Sequence, residues 1–260
     1  MKASTIALIF ALISGAFLIV PIFIVVPMSF STSISFQFPP PGYSIGYYQE
    51  FFGSPAWLEP TRNSFIIAIL TMIATLAIVI PAAFGYVRHR FTGKGLVNLL
   101  LMSPLIVPNV VAALAYYGFL GQFRLTGTIP GVVVAHTVLA VPITFLVISA
   151  TLKGFDRNLE RAAMNAGAGP LRTFIHVTLP VLRPGIMVGA LFAFLQSFNE
   201  PVVAIFIAGR DAATLPKKMF ESIRLEADPV IAVVSTLLIS AIVVGVLVSV
   251  TLRRKRSNGS

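Results

Sequence analysis

The chain has 260 residues, of which 57% are hydrophobic and 11% charged, with a mean hydropathy of +0.91. Soluble domains carry charge on roughly a quarter of their residues, so this composition excludes an ordinary water-soluble globule and also intrinsic disorder; the absence of cysteine excludes disulfide frameworks, thiolate metal sites and cysteine nucleophiles. The net charge of +10, from 19 Lys and Arg against 9 Asp and Glu, sits beside apolar runs, which assigns it to anionic lipid and membrane topology and not to nucleic acid.

A helix crossing about 30 Å of hydrocarbon needs about 20 apolar residues. Six stretches meet that requirement: 5–28, 64–86, 96–120, 130–152, 185–207 and 229–252. The first is too long for a secretion signal and ends in Val25-Val26-Pro27-Met28, a poor cleavage site, so it is expected to be a retained helix. The outer loop, 29–62, holds Phe36, Phe38, Pro39-Pro40-Pro41, Tyr43, Tyr47, Tyr48, Phe51, Phe52 and Trp57, and reads as an irregular aromatic belt lying on the membrane surface. In the third span Pro104 and Pro108 predict a bent or unwound helix, with Ser103 and Asn109 available as polar lining. His136 in the fourth span reads as a hydrogen-bonded packing residue. Gly185, Gly189, Ala193 and Ser197 form a small-residue stripe on the fifth span, and Ala241, Gly245 and Ser249 one on the sixth; both predict close helix packing.

Basic residues are retained on the cytoplasmic side. Thirteen of the 19 fall on one side: Lys2, then Arg88, Arg90 and Lys94, then Lys153, Arg157, Arg161, Arg172 and Arg183, then Arg253, Arg254, Lys255 and Arg256. The other side carries Glu50, Glu59, Asp211, Glu221, Glu226 and Asp228 among its charges. The expected fold is therefore an all-α integral membrane protein of six transmembrane helices with both termini inside, forming one domain over residues 1–260.

The inner segment 153–184 is long for a connector and is not composed like a flexible linker. Residues 158–166 predict a short helix with Leu159, Ala162, Ala163 and Ala166 on one face. Gly167 and Gly169-Pro170 end it in a sharp turn, and 171–177 predict a second short helix closed by Pro180 and Pro184. The result is a helix-turn-helix knob on the cytoplasmic surface.

Ala162-Ala163, three residues, Gly167-Ala168, then an apolar stretch ending in Leu179-Pro180 resembles the signature loop of permease subunits of ATP-binding cassette (ABC) importers. The resemblance extends over the chain: Arg88-His89-Arg90-Phe91-Thr92-Gly93-Lys94, Met102-Ser103-Pro104, Leu152-Lys153-Gly154-Phe155-Asp156, Leu215-Pro216 and Asp228-Pro229 look most like the spermidine/putrescine branch. It implies the type I importer permease fold, in which this loop is the coupling helix docking on an ATPase, with Ala162, Ala163, Gly167, Ala168, Leu179 and Pro180 matching by position. Arg161 stands where the family has Glu, with Glu160 one position earlier, and Asn165 where Asp is frequent; either Glu160 takes over the ATPase contact or a partner permease carries the stricter loop. The implied partners are two nucleotide-binding subunits holding ATP and Mg, a second, different permease chain, an extracytoplasmic solute-binding protein and membrane lipid. The implied solute is a polyamine, with other amines, opines, phosphonates or metal ions as alternatives.

The chain has no Gly-x-x-x-x-Gly-Lys-[Ser/Thr] cradle, since Gly93-Lys94 is followed by Gly95, so the expectation is a non-catalytic subunit without a cofactor or metal of its own. Neither Ser103 nor Ser197 has a His or Lys partner in the pattern, which argues against an intramembrane hydrolase, and an ATP-independent secondary transporter has no need of the knob. Glu200, about 22 Å along the fifth span from Gly185, is the expected solute contact, with Gln196 on the same face and Asn199 beside it.

Overall fold

The computed structural model describes residues 3–225 and 228–257; Lys2 and Glu226, used above to orient the chain, lie outside them, as do the side chains of Ser249, Arg253, Arg254, Lys255 and Arg256. Among the described residues the helices are α1 (Ala3–Met28), α2 (Gly46–Gly53), α3 (Pro55–Arg88), α4 (Lys94–Met102), α5 (Asn109–Gln122), α6 (Ile129–Lys153), α7 (Asn158–Asn165), α8 (Pro170–Thr173), α9 (Leu179–Phe198), α10 (Pro201–Ile207), α11 (Leu215–Leu225) and α12 (Val230–Ser257). Five segments are long and apolar enough to cross a membrane: Ala7–Ser29, Pro55–Arg88, Ile129–Lys153, Pro170–Phe198 and Val230–Val248. The pair Lys94–Leu105 and Asn109–Gln122, bent by 102°, supplies the sixth when its arms are taken as one span.

Two compact units divide the chain, residues 1–58 with 219–260 and residues 59–218. In the first, α1 and α2 pack on α12. The aromatic segment differs from the expected belt. Phe51 and Trp57 are buried with ring centroids 6.3 Å apart, while Phe36, Phe38, Tyr43 and Phe52 stay exposed. Part of the segment is helical as well, because Pro55 occupies a first helical position, where its missing N–H is not needed, and α3 starts there and not near residue 64.

The second unit is built around α6, the most enclosed span, with 61% of its most apolar stretch buried. It packs along α9. Lipid supplies no hydrophobic force between helices, so close van der Waals approach has to hold them. The α9 stripe permits it: a Cβ on Gly185 would lie 2.2 Å from Thr151 Oγ1, and one on Gly189 3.1 Å from Ile148 Cγ1, both on α6. The α12 stripe behaves otherwise. Ala241 and Gly245 are exposed, and a Cβ on Gly245 would meet nothing within 4 Å.

Three helix breaks organise this unit. The third span is interrupted as Pro104 and Pro108 predict, by a 3-10 turn at Ser103–Leu105 and an extended Pro108. The second break corrects the expected knob. Pro180 and Pro184 do not close a short helix, because a π turn at Phe174–Thr178 shifts the hydrogen-bond ladder just ahead of them, with Leu179 N–H donating to Phe174 O. Helix therefore runs from Pro170 to Phe198, and the second arm of the knob is the start of the fifth span. The third break, at Asn199 and Glu200, separates α9 from α10 because Pro201 favours an extended residue before it, and Glu200 has φ −98°, ψ 96°.

Replacing Gly185 by Leu is expected to destabilise the chain by about 1–3 kcal/mol through overpacking, whereas Gly245→Leu should leave it nearly unchanged. Thermal unfolding of the isolated chain in detergent measures the contrast.

Candidate functional site

The knob helix α7 matches its predicted limits, and local chemistry explains both ends. Asp156 Oδ1 accepts from Asn158 N at 2.9 Å and turns the chain into the helix. At the other end Gly167 adopts φ +88°, Gly167 N donates to Met164 O at 3.0 Å and Ala168 N to Ala163 O at 3.1 Å. This is a Schellman cap, whose left-handed position calls for glycine.

The orientation of α7 is the reverse of a helix that buries its apolar face. Leu159 (44% exposed) and Met164 (46%) point away from the chain, as do Ala162 and Ala166, with Ala163 half-buried. Leu171 and Ile175, beyond the turn, are exposed too, and an open hollow of about 430 Å³ lies against Gly169, Pro170, Leu171, Arg172, Ile175 and His176. Glu160 is the buried one. Its Oε1 accepts from Arg88 Nη2 at 2.6 Å and also from the Thr178 hydroxyl, so one oxygen joins the end of α3, the knob and the π turn. Burial by itself would raise the Glu160 carboxyl; the hydrogen bonds from Thr178 and Arg88 and the charges of Arg88 and Arg157 outweigh it and hold the pKa below the ordinary 4.5. Arg161 is exposed beside it. Arg88 is fixed further by the Phe84 ring, 4.6 Å from its guanidinium carbon.

In the sequence alone Arg88 stands out as a topological charge and as part of a family motif, and Thr178 has no role. An Arg in the last turn of an apolar helix, with a lone acid on a nearby amphipathic one, was the available signal.

The expected pathway residues separate into two groups. Gln196 and Asn199 line an open groove of about 330 Å³ with Ile143, Phe192 and Leu195. Glu200 is not on the Gln196 face, because the helix ends at Phe198 and the carboxylate folds over the start of α10. There its Oε1 accepts from Val202 N at 2.9 Å and Val203 N at 3.1 Å, and its Oε2 from Asn109 Nδ2 at 3.1 Å. Glu200 is 5% exposed, and its recorded donors are two backbone amides and a neutral side chain. Ser103 stands apart, its hydroxyl donating to Leu100 O at 2.8 Å.

The pattern gave Ser197 no base, yet the fold brings His136 Nδ1 to 2.9 Å from Ser197 Oγ, which in turn donates to Thr71 Oγ1 at 3.3 Å. His136 and Ser197 are both buried, and His136 Nε2 has no hydrogen-bond partner among the described residues.

In fold, this is an importer permease. The crystal structure of a bacterial ABC transporter involved in the import of the acidic polysaccharide alginate matches with a TM-score of 0.76 at 14% identity, covering 96% of this chain and 98% of that one. Residues 78–257 match the family described as binding-protein-dependent transport system inner membrane component, and the chain belongs to that family. The putrescine transport system permease protein PotI of Escherichia coli K12 is 30% identical, with 90% of this chain and 86% of that protein covered. The spermidine/putrescine transport system permease protein PotC of the same strain is 26% identical, with 94% and 92% covered. The molybdenum transport system permease protein ModB of that strain is 32% identical over a shorter stretch, 65% of this chain and 81% of that protein. The protein is a permease of an ABC importer, resident in the inner membrane.

A lowered carboxyl pKa means that the Arg88–Glu160 pair contributes stability in full above pH 4.5 and loses it as the pH falls further, through the folded value. Wild type is therefore expected to unfold at a higher temperature than Glu160→Gln near neutral pH. The gap should close below pH 4.5, and melting curves in detergent across that range read it directly.

Proposed function

We propose that the chain forms half of the translocation pathway for a small cationic amine of the putrescine or spermidine kind, moved by ATP hydrolysis on two partner subunits that hold the ATP and Mg. The observation that carries the coupling part is the orientation of α7, which turns Leu159, Ala162 and Met164 outward and its acid inward. An apolar tip rimmed by polar side chains is what a groove on another protein buries. In this reading Ala162, Ala163, Gly167 and Ala168 enter the ATPase groove and Arg161 faces its rim. Leu179 and Pro180 join the tip to the fifth span, and Glu160 steers the knob from behind without touching the ATPase.

The solute part is supported by Glu200 and by the names of the two polyamine relatives. In a low-dielectric setting a carboxylate whose donors among the described residues are all neutral favours an ammonium group over a phosphonate. Gln196 and Asn199 offer polar contacts in the groove, Asn109 holds the carboxylate, and Ser103 supports the helix break. A second permease chain completes the pathway and an extracytoplasmic binding protein delivers the solute.

Residues 1–260 act here as one permease domain with both termini and the knob in the cytoplasm. The subunit is non-catalytic. In this reading the buried Ser197–His136 pair is a packing contact between α6 and α9.

Because the chain has no native cysteine, Ala163→Cys gives a single attachment point. A cross-linker there is expected to capture the ATPase subunit, and failure to do so in the assembled complex refutes the docking. Glu200→Gln keeps an acceptor for the α10 amides and removes the charge. Uptake of labelled putrescine by proteoliposomes should drop by about tenfold or more, the worth of one charge-assisted contact, while ATP hydrolysis persists.

A further inference from the structure

Beyond the docking of the knob, which this inference takes from the function proposed above, we propose that α3 is a connecting rod. It carries displacement of the knob to the segment between α10 and α11 through a polar joint at each end. The first joint is the Glu160 oxygen that receives both Arg88 and Thr178. Its two charged partners are only 21% and 11% exposed. The second joint lies at the far end of the helix. Asn63 Nδ2 donates to Asp211 O at 2.9 Å and Ala213 O at 3.2 Å, and Ser64 Oγ accepts from Leu215 N at 2.7 Å. Asn63 and Ser64 are 8% and 2% exposed, which limits the competition of water for these bonds.

Between the joints α3 runs 25 residues, about 38 Å at 1.5 Å per residue. Ile67, Thr71, Thr75, Val79 and Ala83 recur every fourth position along it and are all buried. A helix held along one face by apolar and small residues can slide or tilt as a body. Directional side-chain bonds at its two ends pass movement into and out of it; between them the bond from Ser197 Oγ to Thr71 Oγ1, at 3.3 Å, ties the middle of α3 to α9. The far joint grips the backbone that follows α10, the helix whose first turn Glu200 caps. A knob drawn sideways by its ATPase therefore pulls Arg88, α3, and then residues 211–215. Glu160 and Asn63 are positioning residues in this scheme.

The assembled importer, with its ATPase subunits, tests the scheme by spin labels at single cysteines. One label replaces exposed Arg161 on the knob; another replaces exposed Arg210 next to the far joint. Trapping the ATPase with Mg-ATP and vanadate should change the mobility of both labels in the wild-type background. In Glu160→Gln and in Asn63→Leu the Arg210 response should shrink about fivefold or more, while the Arg161 response remains. Thr178→Val should act like Glu160→Gln and Thr178→Ser should restore the response, which a general loss of folding would not do. The proposal is overturned if the Arg210 label is silent in the wild type or still responds fully in both joint variants. It is overturned too if Glu160→Gln silences the knob label, since Glu160 would then be a docking contact. A knob label silent in the wild type would instead refute the docking on which the rod depends.

Discussion

In hydrocarbon an unpaired backbone amide or carbonyl costs several kcal/mol, so a transmembrane helix can be interrupted only where other groups take over its hydrogen bonds. The second unit meets that constraint three times, each time differently. At Ser103–Leu105 the chain tightens into a 3-10 turn and Ser103 bonds back to Leu100. At Phe174–Thr178 it widens into a π turn ahead of two prolines. At Asn199 and Glu200 a carboxylate substitutes for the missing turn by capping α10. Polar side chains gather at these breaks because the membrane demands it, and the groove residues Gln196 and Asn199 sit beside the last of them.

The same constraint accounts for the pairing of breaks. Asn109 begins the helix after one interruption and bonds the carboxylate that caps the helix after another. Glu200 thus bridges the starts of two half-helices, α10 through its first backbone amides and α5 through a side chain. Among the described residues the donors to Glu200 are all neutral.

Much of this was legible along the chain. The apolar runs located the spans, the two prolines located the third-span break, and the periodicity of 158–166 with Gly167 bounded α7 to within a residue. What sequence could not supply was direction. Periodicity identified the apolar face of α7 but not that it faces outward, since that depends on Arg88, 72 positions away from Glu160. The Gln196 and Glu200 pairing failed for a local reason: i and i+4 share a face only while the helix lasts, and it ends at Phe198. The Ser197–His136 contact joins residues 61 apart, which no local pattern encodes. The small-residue stripes divided for a similar reason: added Cβ atoms on Gly185 and Gly189 would press into α6, whereas one on Gly245 would meet open space.

Fold similarity and solute are separate matters in this family. A TM-score of 0.76 joins this chain to part of a transporter of an acidic polysaccharide, at 14% identity, while relatives at 26–30% are named for cationic amines. The fold is shared by transporters named for solutes of opposite charge, so fold similarity alone does not assign the sign of a solute. Glu160 and Glu200, both largely buried, show how differently one fold can hold a carboxylate: the first is paired with Arg88, and the donors to the second among the described residues are two backbone amides and the Asn109 side chain.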